Sequence, residues 1–136
     1  GAEHVMVVHS KDGLDEISLA SSTYVAELKN GEITEWMITP EEVDIESQTL
    51  TGLIVDGSAE SLALIKDALG KKKSAIGEKA ANMLALNAGA GIYVSGLTND
   101  YKQGVALAHD IIYGGQALEK MSVLSEFTKT LKEYEA

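Results

Sequence analysis

Asn30-Gly31 constrains this chain more than any other two residues. Both central positions of a type I′ turn need positive φ, which Asn-Gly supplies, so the pair predicts a tight β-hairpin. One arm is Thr23 to Leu28 and the other Glu32 to Ile38, within an antiparallel segment over 17–38. With Asn30 and Gly31 as the loop, Leu28 faces Ile33 and Val25 faces Trp36, both favourable cross-strand pairs. Trp36 reads as packing against Val25 rather than as a ring for stacking a ligand.

Upstream, His4-Val5-Met6-Val7-Val8-His9 is nearly all apolar and does not alternate. Such a run predicts a strand buried on both faces, as in a parallel sheet. No other run reads as its parallel neighbour, so the chain is expected to be one part of something larger. Downstream the pattern turns helical. Thr39 and Pro40 mark a helix start, and 44–57 reads as a loop. Ser58 caps a helix carrying Leu62, Ile65 and Leu69, and Gly70 ends it. Ser74 opens a longer helix to about Ser95, with Ala80, Leu84, Asn87, Gly91 and Val94 on one stripe. This helix is rich in small residues: Ala85, Ala88, Gly89, Ala90 and Gly91. Each Gly costs about 1 kcal/mol relative to Ala in a helix interior, so close backbone approach to another element is the expected compensation. Asn87 reads as a buried amide satisfied by neighbouring backbone. Asp100 with Gln103 opens the next helix, whose stripe is Tyr101, Val105, Ala108 and Ile112, closed by Gly114-Gly115. A last helix from about Gln116 to Tyr134 carries a heptad-like face of Ala117, Met121, Leu124, Thr128 and Leu131, read as a core-docking surface.

A length of 136 residues allows one compact domain. Gly1-Ala2 is left out of it as a cloning scar or cut site, so the expected domain is 3–136. A net charge of −10 argues against a nucleic-acid partner, and the one basic cluster, Lys71-Lys72-Lys73, reads as a solvated loop. The longest apolar stretch, Met83 to Val94, is too short to span a bilayer. No signal-like start and no cysteine are present, so a cytoplasmic location without disulfides is expected. The three histidines, His4, His9 and His109, lack metal-ligand spacing and read as structural or surface groups, although His9 stands next to an acidic loop. Nucleophile elbow, phosphate loop and dinucleotide fingerprint are all missing.

That acidic loop is Asp12-Gly13-Leu14-Asp15-Glu16-Ile17-Ser18, at the end of the first strand. Gly13 lets the chain bend back sharply. Carboxylates offer only oxygen, which suits a hard cation such as Mg²⁺. By itself the stretch reads first as a solvated turn and second as a cation site.

Val7-Val8-His9 followed by this loop resembles the metal-site segment of anthranilate phosphoribosyltransferases, and less closely that of pyrimidine nucleoside phosphorylases. The likeness continues in order through Val25-Ala26-Glu27-Leu28, Asn30-Gly31-Glu32-Ile33 and Thr39-Pro40-Glu41. It then runs through Leu86-Asn87-Ala88-Gly89-Ala90, Gly104-Val105-Ala106-Leu107-Ala108 and Gly114-Gly115-Gln116-Ala117-Leu118-Glu119-Lys120. Ser10-Lys11 departs from the family, which usually has Gly after the His. The resemblance implies a partial, C-terminal segment of an α/β domain, with one buried strand and an antiparallel hairpin packed with about four helices. It implies that Asp15 and Glu16 bind Mg²⁺ together with phosphoribosyl pyrophosphate, the donor to anthranilate in tryptophan biosynthesis.

The family's Gly-Thr-Gly-Gly-Asp, Lys-His-Gly-Asn and Lys-Met-Ala-Ser segments and its anthranilate-binding Arg do not occur here. Lys120-Met121-Ser122 lies mid-helix and does not replace them. The resemblance therefore implies no catalytic or other cofactor-binding residue in this stretch, and an isolated chain that cannot catalyse. A lone strand with an open edge further predicts a homo-oligomer. Two alternatives are a nucleoside phosphorylase fragment and a stand-alone, non-catalytic domain that self-associates. The phosphorylases usually carry a further α/β domain, whereas this chain ends in a charged helix, Thr130 to Ala136.

Overall fold

The computed structural model describes residues 1–134, with side-chain surroundings as far as Leu131. The expected charged helix end lies outside the described residues at 135 and 136. Three strands, β1 (His4–Ser10), β2 (Thr23–Lys29) and β3 (Glu32–Ile38), form one sheet in the order β1-β2-β3. Four helices follow: α1 (Ser58–Leu69), α2 (Ala75–Val94), α3 (Tyr101–Gly114) and α4 (Gln116–Tyr134).

The hairpin forms in the expected register. Asn30 and Gly31 have φ of 54° and 80°, Leu28 faces Ile33, and Val25 faces Trp36. Residues 17–22 are not strand; they form a loop that buries Ile17 and Leu19. The expectation for β1 is corrected. It pairs antiparallel with β2, from His4 opposite Lys29 to Ser10 opposite Thr23, and it is not buried on both faces. Met6 and Val8 pack toward the core, while Val7 on the opposite face is 64% exposed. An unbroken apolar run cannot by itself distinguish a parallel from an antiparallel partner. Here helices cover one face only, so from Met6 onward the run alternates in burial although not in polarity.

The helical half follows the sequence with local differences. Thr39-Pro40 opens only a short 3-10 turn, Pro40–Val43, in which Glu42 accepts the Thr39 N–H at 2.8 Å. Gly57 caps α1, so Ser58 is its first residue rather than its cap, and Leu62 is exposed while Leu69 is buried. Ser74 caps α2 through the Gly77 N–H at 3.0 Å, and Asp100 caps α3 through the Gln103 N–H at 2.8 Å, both as expected. The α3 stripe of Tyr101, Val105, Ala108 and Ile112 is buried throughout.

On α2 the buried seam is Ala81, Ala85, Gly89 and Tyr93, rotated from the expected stripe, and Gly91 is exposed. Close backbone approach is confined to Gly89, where an added Cβ would stand 2.6 Å from Val105. The α4 face docks through Ala117 and Met121 but not beyond them, because Leu124 and Leu131 are exposed. The Lys71–73 loop is solvated at Lys71 and Lys72. Lys73 turns back to the Gly70 carbonyl and lies over the Tyr113 ring at 4.3 Å.

A polar cluster joins the sheet to α2. Glu27, 7% exposed, accepts hydrogen bonds from Tyr93 Oη at 2.7 Å, His4 Nε2 at 2.8 Å and Trp36 Nε1 at 3.0 Å. Trp36 is thus a packing residue with its N–H satisfied, and it also meets Tyr101 edge-on. His4 is structural, set edge-on against Tyr93 with ring centroids 4.8 Å apart.

Candidate functional site

The acidic loop turns on Gly13, whose φ of 92° is open to glycine and strained for other residues. The turn is closed by the Gly13 N–H to the Ser10 carbonyl at 3.1 Å, and by the Ser10 N–H to the Leu14 carbonyl at 3.1 Å. Ser10 is fully buried; its hydroxyl accepts the Leu14 N–H at 3.0 Å and donates to the Asp12 carboxylate. The other Asp12 oxygen accepts the hydroxyl of Ser18, also fully buried, at 2.5 Å. Partial burial pushes the Asp12 carboxyl up, but the hydrogen bonds from Ser10 and Ser18 outweigh it and hold it below its ordinary value. Asp12 is therefore committed to folding the loop.

Asp15 and Glu16 are left exposed at the tip. Partial burial, then the adjacent charge of Asp15, raises the Glu16 carboxyl above its ordinary value. Two like charges side by side, both without a cationic partner in the loop, are a donor set that a hard divalent cation would relieve. No group of three or more His, Cys, Asp or Glu side chains gathers here or elsewhere among the described residues. Two carboxylates suffice for a hard cation such as Mg²⁺ only where phosphates and water complete its shell, rather than an all-protein cage.

Asp15 and Glu16 are neighbours in the sequence, and sequence reasoning missed what the fold sets around them. Behind the loop, Asn87 of α2 bonds both backbone groups of Ile17, accepting its N–H and donating to its carbonyl, each at 2.9 Å. The expected backbone satisfaction of Asn87 is met, and the partner is the acidic loop. Beside Glu16 opens an apolar groove of about 350 Å³ lined by Leu14, Leu53, Leu64, Met83 and Leu84. No motif marked the groove, since its walls come from four separate parts of the chain. His9 stands exposed on the outer sheet face opposite Tyr24, and among the described residues no hydrogen bond ties it to the loop. His109 stacks on Tyr113 at 4.2 Å.

A three-stranded sheet backed by helices, with two adjacent carboxylates in the loop after its first strand, defines an α/β domain with an acidic loop at one edge. More specifically, the chain belongs to the glycosyl transferase family, a/b domain, whose profile matches residues 1–118. It is 83% identical over 134 residues to the anthranilate phosphoribosyltransferase of Acinetobacter baylyi, covering 98% of this chain and 38% of that relative. The chain thus spans well under half the length of that protein. It superposes on the anthranilate phosphoribosyltransferase of Thermus thermophilus with a TM-score of 0.72 and 35% identity, over 85% of this chain and 32% of the other. The Saccharomyces cerevisiae anthranilate phosphoribosyltransferase in complex with PRPP and Mg shares the fold, with a TM-score of 0.71 and 21% identity over 86% of this chain and 33% of the other.

Proposed function

We propose that the chain is the carboxylate-bearing segment of an anthranilate phosphoribosyltransferase of tryptophan biosynthesis. The observation that carries this reading is the loop that engages the Asp12 carboxylate in hydrogen bonds from Ser10 and Ser18 while leaving Asp15 and Glu16 exposed. It lies in a chain 83% identical to an enzyme of that name. That identity favours the transferase over a nucleoside phosphorylase. Asp15 and Glu16 hold Mg²⁺, which when bound neutralises diphosphate charge and stabilises the leaving group. The loop's own hydrogen bonds keep the carboxylates aimed outward, so little reorganisation is needed to bind. The chain has no arginine and no Gly-rich diphosphate loop. It therefore supplies one wall of the site, and the remaining polypeptide of the enzyme supplies the diphosphate cradle and the anthranilate pocket. A cytoplasmic location, as befits a biosynthetic enzyme, is part of the same proposal. No described helix is long and apolar enough to cross a membrane.

The test is a chimera in which this chain replaces the matching stretch of the Acinetobacter baylyi enzyme. Anthranilate consumption is expected from the chimera and not from the isolated chain. Asp15→Asn with Glu16→Gln should lower its kcat/KM by about tenfold or more, since metal charge stabilisation contributes several kcal/mol. Turnover by the isolated chain, or an undiminished double variant, overturns the reading.

The homo-oligomer belongs to the same proposal. The outer face of the sheet exposes Val7, Tyr24, Ile33 and Met37, and β1 and β3 are both edge strands. Open edges beside exposed apolar surface favour pairing with another chain. Sedimentation velocity of the isolated chain should show a coefficient that rises with concentration. A monomer stable across dilution contradicts it.

A further inference from the structure

We infer that Asn87 is a positioning residue for the carboxylate pair, acting on Glu16 and Asp15 through the backbone of Ile17. Seventy residues separate Asn87 from Ile17 in the chain, yet the side-chain amide matches both backbone groups of Ile17 at 2.9 Å. The Ile17 N–H belongs to the peptide plane that joins it to Glu16. Holding that N–H fixes the ψ of Glu16, and with it the direction in which the carboxylate leaves the chain. Ile17 is 1% exposed, so water does not take over these bonds. A primary amide is the side chain that offers a donor and an acceptor in one plane, as a neighbouring strand would. The amide is itself held, because its nitrogen also donates to the Met83 carbonyl one turn back on α2, at 3.1 Å. At the other end of the loop, Ser10 grips Leu14 and Asp12. Asp15 and Glu16 are thus the free tip between two fixed ends. Groups behind a metal's ligands commonly set their aim, and losing one lowers metal affinity by about tenfold to a hundredfold.

This inference rests on Asp15 and Glu16 as the Mg²⁺ ligands, and its test separates the two claims. The probe is Mn²⁺ alone, titrated into the full chain and followed by paramagnetic broadening of amide NMR signals, with hydrogen exchange measured on the same samples. In the wild type, Mn²⁺ should broaden the signals of residues 14–17, and the Asp15→Asn, Glu16→Gln variant should lose that effect. Asn87→Ala should weaken Mn²⁺ by about tenfold. Its Ile17 amide should exchange faster, while Ala81 and Ala85 on α2 keep their protection. Asn87→Ser, which keeps a small polar group, gives the same comparison if the alanine variant does not fold. Leu86→Ala is the control: it loosens the same core on the next residue but leaves the Asn87 amide and its two bonds to Ile17 in place, and it should leave Mn²⁺ affinity unchanged. Unchanged affinity in Asn87→Ala, or an equal loss in Leu86→Ala, overturns the positioning role. Absence of broadening in the wild type overturns the metal reading and the positioning role with it, and is recognised because Ile17 exchange still responds to Asn87.

Discussion

Gly104→Leu is expected to cost the chain about 3 kcal/mol or more, the upper end for overpacking a close-packed contact. At Gly104, α3 crosses α2 backbone against backbone. A Cβ added there would lie 2.3 Å from the Gly89 carbonyl oxygen, and one added at Gly89 would lie 2.6 Å from the Val105 Cα. Neither obstacle is a flexible side-chain end, so relief requires the two helices to separate. Separation exposes the seam they share, which includes Ala85, Leu86, Val105 and Ala108. Gly91→Ala on the same helix should have the opposite sign. No heavy atom outside its own helix lies within 4 Å of its added Cβ, so the helix-propensity gain of about 0.5–1 kcal/mol is unopposed. Chemical denaturation of both variants checks the pair. Loss of stability in Gly91→Ala, or a neutral Gly104→Leu, would contradict the crossing.

These two glycines show where the sequence is legible and where it stops. The cost of glycine in a helix says that some residue among 85–91 must touch another element, but not which one. That choice depends on the rotation of α2, set by contacts with α3 and the sheet. The hairpin was fully legible, because Asn30-Gly31 fixes turn type and register locally. The α3 stripe was legible because its four apolar positions follow the helical period and all are buried. The burial of β1 was not, since which face of a strand is covered depends on elements elsewhere in the fold. At the site, residue type identified Asp15 and Glu16 as oxygen donors, while the separate duty of Asp12 was hidden. Three acids in five residues look alike in sequence; Ser10 and Ser18 folding back onto one of them makes the difference. The clamp on Ile17 was equally hidden, because a contact across seventy residues leaves no local pattern.

Glu27→Leu is expected to destabilise the chain by about 2–4 kcal/mol, because it strands buried donors that the carboxylate now satisfies. His4 Nε2, Trp36 Nε1 and the Tyr93 hydroxyl proton all lose their acceptor; Tyr93 Oη still accepts from Lys29 Nζ at 3.0 Å. The same cluster gives stability a defined acid limb. Burial raises the Glu27 carboxyl, but hydrogen bonds from Tyr93, His4 and Trp36, with the charge of His4, outweigh it and leave it below the ordinary value of 4.5. A carboxyl with a depressed folded value contributes its full stability above the unfolded value, and that contribution is lost as pH falls through the folded value. The wild type should therefore lose stability steeply as pH drops below 4.5. Asp12, Asp67 and Glu41 are lowered as well and add to that slope. Glu27→Gln isolates the share of Glu27. Its amide keeps one acceptor and the shape, but it does not titrate, so its stability curve should be shallower than the wild type's over that window. Denaturant melts of both proteins, at neutral pH and at steps below 4.5, provide the comparison. Parallel curves would mean that the carboxylate carries no net charge-dependent stabilisation, and that the three hydrogen bonds act as neutral packing.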